Sequence, residues 1–155
     1  MQNRRTFLGG LALVAMSGGL ARASAPARRM IIHKDPNCGC CAAWTAHVRA
    51  AGFETQIVET NALDRVKARL RVPQSLASCH TAEIDGYVIE GHVPAADIVR
   101  LLKERPKGRG LAVPGMPVNS PGMEVPGAPE ERYEVVLFGE GTQTTFGVWT
   151  GGRRV

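Results

Sequence analysis

A chain of 155 residues supports one domain with a modest core, and 44 % hydrophobic with 21 % charged residues excludes the disordered and collagen-like classes. The formal net charge of +5 has no lysine or arginine block behind it, and aromatic residues make up only 5 % of the chain without a stacking pattern. Nucleic acid is therefore not an expected partner.

The first segment reads as a leader. Arg4-Arg5-Thr6-Phe7-Leu8 precedes an apolar run to Leu20 that glycines interrupt, and Ala21-Arg22-Ala23 places small residues where a signal peptidase cuts. The paired arginines point to the twin-arginine route. Residues 1–23 are thus expected to be a cleaved signal peptide, residues 24–155 the mature domain, and the periplasm its location. The run is too short to span a bilayer of roughly 30 Å, and nothing after Ala23 approaches that length, so no membrane association is expected after cleavage. Arg4, Arg5 and Arg22 leave with the leader, which carries no acids; the 19 basic residues become 16 against 14 acidic ones, a net charge of +2.

In the mature chain, Met30-Ile31-Ile32-His33 suits a short buried strand, and Lys34-Asp35-Pro36-Asn37 is a turn able to lead into a helix. Cys41, Trp44, Val48 and Ala51 fall on one helical face that Gly52 ends. Phe53 to Glu59 alternates like a strand. Leu63, Val66 and Leu70 mark a second helix stopped by Val72-Pro73. Residues 75–82 lead into a hairpin at Ile84-Asp85-Gly86-Tyr87-Val88-Ile89. Pro94 introduces a third helix, Ala95 to Glu104.

The order βαβαββα is that of a thioredoxin-like domain, an α/β fold in which a Cys-x-x-Cys pair caps the first helix and the segment entering the hairpin lies beside it. A loop rich in glycine, proline and methionine follows, residues 108–129, with Pro114-Gly115-Met116 repeated as Pro121-Gly122-Met123. Each Pro-Gly pair suits a type II turn. Tyr133 to Phe138 and Thr144 to Trp149, joined by Gly139-Glu140-Gly141, form a C-terminal β-hairpin.

Three of the four cysteines crowd into Cys38-Gly39-Cys40-Cys41, and the fourth stands beside a histidine in Cys79-His80. At a helix N-terminus the helix dipole and free amides favour thiolate over thiol. A thiolate is both nucleophile and metal ligand, so metal binding, thiol–disulfide exchange by Cys38 and Cys41, and purely structural bridges all remain open. A third thiol beside a redox pair invites scrambling, whereas a soft ion gains from it, and Cys, His and Met together form the donor set that suits Cu(I). Zn(II) is the other ion that three cysteines and one histidine accommodate. The candidate ligands are Cys38, Cys40, Cys41, Cys79 and His80, with Met116 and Met123 as thioether donors or as a flap. His47 is expected at the surface, and His33 and His92 are not expected to ligate. The acidic residues show no acid–base pairing and the serines no nucleophile elbow, so no bond-making catalysis is required.

The segments Lys34 to Cys41 with Trp44, Ser78-Cys79-His80-Thr81-Ala82, Gly86-Tyr87, Glu90-Gly91-His92-Val93-Pro94-Ala95, Gly110 to Pro117 and Ser120 to Glu124 resemble a periplasmic metal-binding family of unknown function. That family has a thioredoxin-like fold and a Cys-Gly-Cys-Cys motif and is associated with copper resistance. The similarity runs through nearly all of the mature chain, with Asn119 standing where glycine is expected. It implies copper handling outside the cytoplasm, with the metal ion and another periplasmic copper-handling protein as partners.

Overall fold

The computed structural model describes residues 28–155; the signal peptide expected at residues 1–23 lies outside them. The elements run β1 (Arg29–Lys34), α1 (Gly39–Ala50), β2 (Glu54–Glu59), α2 (Leu63–Arg69), a 3-10 turn (Gln74–Leu76), β3 (His80–Ile84), β4 (Tyr87–Glu90), α3 (Ala95–Glu104), β5 (Gly110–Ala112), β6 (Arg132–Phe138), β7 (Gln143–Thr150) and β8 (Arg153–Arg154). With the 3-10 turn set aside, the elements from β1 to α3 follow the expected order βαβαββα. All eight strands join one mixed sheet in the order β2-β1-β3-β4-β5-β6-β7-β8, parallel at β1/β2 and β4/β5 and antiparallel elsewhere.

Two strands escaped the sequence reading. Gly110–Ala112 lies within the stretch read as loop, and its three residues are too few to show alternation. They matter because they pair with β4 on one side and β6 on the other, which makes the C-terminal hairpin a continuation of the sheet. Arg153–Arg154 adds a short edge to β7.

Strand alternation sorts the side chains onto two faces. Met30 and Ile32 of β1, Ala82 and Ile84 of β3, Ile89 of β4 and Leu111 of β5 join Trp44 and Val48 of α1 and Ile98 and Leu101 of α3 in the larger core. Val88, Ala112 and Phe138 point the other way, toward Leu70, Leu76 and the flank of α2. Helices α1 and α3 thus cover one face and α2 the opposite one. Among the described residues no helix is long and apolar enough to cross a membrane.

A buried polar link ties α3 to the C-terminal hairpin. The Asp97 carboxylate, 1 % exposed, accepts from the Trp149 indole N–H at 2.7 Å and from Arg100 at 3.1–3.2 Å, while Arg100 also donates to the Phe146 carbonyl and stacks on its ring. Replacing Asp97 with alanine strands a buried indole donor. The expected cost is about 2–3 kcal/mol of unfolding free energy, read as a lower urea midpoint with an unchanged denaturant slope.

Candidate metal centre

The cysteine segment is shaped before the helix begins. Asp35 accepts the Asn37 amide through its side chain at 2.8 Å and the Cys38 amide through its carbonyl at 3.1 Å, and the buried Lys34 ammonium binds the Asp35 and Pro36 carbonyls. This turn delivers Cys38 as the N-cap of α1, with no side-chain capping bond of its own. Trp44 anchors the helix below: it is fully buried and donates its indole N–H to the Val93 carbonyl at 2.9 Å.

Cys79 reaches this helix end from the start of β3, so the two cysteine segments meet. Cys38 and Cys41 form a disulfide, leaving Cys40 and Cys79 as free thiols. Cys40 Sγ lies 3.5 Å from Cys38 Sγ and 3.7 Å from Cys79 Sγ, and Cys41 Sγ lies 3.6 Å from the Cys79 carbonyl. Cys79 faces two imidazoles as well, His80 Nδ1 at 3.3 Å and His92 Nε2 at 3.0 Å. The donor atoms fall into two groups, four sulfurs in one and Cys79, His80 and His92 in the other, each within 4.8 Å. Cys79 belongs to both.

His92, which was not expected to ligate, stands within reach of the Cys79 thiol. Its Nδ1 lies 2.8 Å from the Pro121 carbonyl. A carbonyl only accepts, so Nδ1 carries the proton and a neutral ring turns the Nε2 lone pair toward Cys79. The sequence signal was its place in the Glu90 to Ala95 segment; its isolation from the cysteines along the chain hid the contact. His80 is fully buried, neither solvated nor bonded to backbone; its ring packs 4.3 Å from that of Trp44, and Nε2 has no partner among the described residues.

His47 also differs from its expected surface position. It is half-buried, and its Nε2 accepts the Ala95 amide at 3.0 Å, capping the first turn of α3. His33 pairs with Glu83 at 2.9 Å on β3, as part of the sheet.

The two Pro-Gly turns flank the centre. Gly122, at φ +85°, passes so close to α1 that a Cβ there would stand 2.6 Å from the Trp44 nitrogen and 2.9 Å from the Cys40 carbonyl. Only glycine combines that torsion with that approach. The first turn is held by Ser78 Oγ, which donates to the Gly115 carbonyl. Asn119, where glycine was expected, has φ +63°; asparagine tolerates this region better than most residues. Its side chain accepts the Val125 amide at 2.8 Å and donates to the Ala128 carbonyl at 3.2 Å, fastening the loop. Met123 is half-buried beside Gly122, and Met116 is 52 % exposed, as befits a rim more than an interior position.

On the opposite face of the sheet lies a polar cluster that the sequence reading missed. The fully buried Glu90 carboxylate accepts from Lys67 Nζ, from Thr81 Oγ1 at 2.7 Å and from the Ser78 amide at 2.6 Å, and Lys67 also donates to Thr81 at 3.0 Å. Scattered in sequence, these residues gave no sign of pairing.

Burial governs the electrostatics of the centre. Loss of hydration, reinforced by neighbouring Cys40, pushes the Cys79 thiol up to about 12. Desolvation lowers His80 well below its usual range, with His92 and Lys67 acting in the same sense, and it also lowers His92. The centre therefore holds a protonated thiol between neutral imidazoles, and any ligation through Cys79 would require the loss of that proton.

The family described as "Protein of unknown function, DUF411" matches residues 76–123, which include Cys79, His80, Glu90, His92 and both Pro-Gly turns. A solved structure named "Copper resistance protein copG- Form 2" is 44 % identical, with a TM-score of 0.75, covering 79 % of this chain and 98 % of its own. A second, named form 1 of the same protein, has a TM-score of 0.74 at the same identity and coverage. No curated protein matches the chain.

Desolvation, partly offset by the charge of Glu124, lowers His47 below its ordinary 6.5. Unfolding frees it to protonate near that value, so the unfolded chain binds more protons as pH falls below about 6.5 and stability is lost in that direction. His47→Gln keeps an acceptor for Ala95 without titrating. Thermal melts of metal-free protein between about pH 7 and about pH 5.5 should show a shallower decline for this variant than for the parent.

Proposed function

Because this chain belongs to the DUF411 family, we propose that it is an exported copper-handling protein that binds Cu(I) for sequestration or delivery. The observation that carries this reading is the convergence of four sulfurs and two neutral imidazoles on one helix end. Soft thiolates with imidazole suit Cu(I), and Zn(II) is the competing occupant. Cys38, Cys40, Cys41 and Cys79 supply the sulfur, His80 and His92 border it, and Met123 and the exposed Met116 act as shielding or transient thioether donors. Spare thiols side by side support stepwise ligand exchange with a second copper-handling protein. Export by the twin-arginine route to the periplasm follows the leader-like segment and suits a folded cargo.

We read the first half of the domain as thioredoxin-like. Supporting this are the order β1-α1-β2-α2-β3-β4-α3, the strand order β2-β1-β3-β4 and the placement of the Cys-x-x-Cys pair at the head of α1.

The bridged Cys38–Cys41 pair favours one further reading, a thiol–disulfide oxidoreductase in which Cys38 attacks and Cys41 resolves. Against it stand Cys40, 3.5 Å from Cys38, and Cys79, 3.7 Å from Cys40, positioned to divert a mixed disulfide. Bridging also withdraws two of the four sulfurs, so full copper capacity requires a donor of two electrons and two protons that converts the disulfide to two thiols.

Native mass spectrometry of the protein, reduced or oxidised, titrated with Cu(I) and Zn(II) tests these readings. Reduced protein should bind more Cu(I) than oxidised protein, and Cys79→Ser should lower affinity at least tenfold, because it removes the ligand common to both donor groups. Affinity should rise with pH, since binding displaces thiol protons. Rapid insulin reduction that depends on Cys38 and is indifferent to copper would reverse the ranking.

A further inference from the structure

The buried pair Lys67–Glu90 has an obvious structural use: it fastens α2 to the sheet. That use leaves one bond unexplained. Glu90 also accepts the backbone amide of Ser78 at 2.6 Å, and this bond does nothing for α2.

Its effect falls on the site. Ser78 precedes Cys79 directly, and Glu90 ends β4 two residues before His92. The two chain segments run against each other here: the Gly91 amide donates to the His80 carbonyl at 3.0 Å, and a Cβ on Gly91, which has φ +71°, would lie 2.5 Å from Ser78 Cβ and 2.7 Å from the Val113 carbonyl. Strand alternation then divides the labour. Ala82 and Ile89 face the α1 side, so Thr81 and Glu90 face α2 and Lys67, while His80 rises on the side of Trp44. Donors on one face of the sheet are thus located by a charged anchor on the other.

We propose that Glu90, held by Lys67 and Thr81, is a positioning residue that fixes the Cys79 thiol against His92 and thereby sets the Cu(I) affinity of the centre. The claim about affinity rests on the copper reading given above; the positioning does not. Outer-shell groups of this kind change metal affinity by roughly 10–100-fold when removed.

The test separates anchoring from stability. Replacing both charges with apolar residues of similar size removes the burial penalty as well as the attraction, which often leaves stability intact. The double variant K67M/E90M still strands the Thr81 hydroxyl and the Ser78 amide, so it should melt below the parent but above E90M, which leaves Lys67 unpaired, while binding Cu(I) at least tenfold more weakly in competition with a chromophoric Cu(I) chelator. Its Ser78 amide, followed by NMR in metal-free protein, should exchange at least tenfold faster, with the Ala82 amide of β3 unchanged. Should K67M/E90M fail to fold, E90D carries the same comparison, since it keeps a negative charge to balance Lys67 while drawing the oxygen that Lys67 and Ser78 share back by one methylene, a retreat that the flexible Lys67 side chain can follow and the Ser78 backbone cannot. Parental Cu(I) affinity and parental Ser78 exchange in the folded variant would overturn the proposal. If the parent binds no Cu(I), the copper reading and the affinity claim fall together, and Ser78 exchange still decides the positioning.

Discussion

The close passage of the chain entering β3 against the chain leaving β4 is the constraint on which this structure turns. At that crossing Ser78 lies against Gly91, leaving no room for a side chain there. Cys79 and His92 are the next residues outward on the two segments, so backbone packing brings a thiol and an imidazole to 3.0 Å. The cysteines of α1 reach the same place by a separate route. The Asp35 turn orders their backbone, and Trp44 ties the helix to Val93, one residue beyond His92.

The glycine- and proline-rich segment acts as a third wall of the centre. It leaves β5 and returns at β6, neighbouring strands of one sheet, so both ends are anchored. Between them Pro121 orients His92, Gly122 presses on the first turn of α1, and Gly115 receives Ser78. Close packing of this kind transmits a local shift into neighbouring elements. A movement of Cys79 therefore bears on the loop as well as on the helix.

Much of this was legible from residue order. The run of helices and strands through α3 followed from periodicity and turn chemistry, and the meeting of Cys79 with the early cysteines followed from the order of those elements. The residues that escaped notice did so for identifiable reasons. Glu90 and Lys67 are matched only in space, on a sheet face that alternation alone does not assign. His92 looked like a turn residue because nothing along the chain announces its contact with Pro121. His47 looked like a surface residue because its partner is a backbone amide, which no side-chain pattern reveals. The strand β5 is recognisable only through its neighbours, for a segment that short carries no period. Asn119 shows the reverse case, a departure from expectation whose left-handed backbone explains why glycine was the anticipated residue.

The bridge between Cys38 and Cys41 spans a sequence separation of 3. A cross-link stabilises chiefly by shrinking the unfolded ensemble, and the benefit grows with the ring it closes, reaching about 3 kcal/mol only near fifteen residues. So small a ring restrains little of the denatured chain, and α1 keeps its hold through Trp44 and Val48 in the core whether the sulfurs are joined or apart. The link is better regarded as a latch than as a rivet: opening it alters the chemistry at the mouth of the helix and leaves the architecture behind it standing.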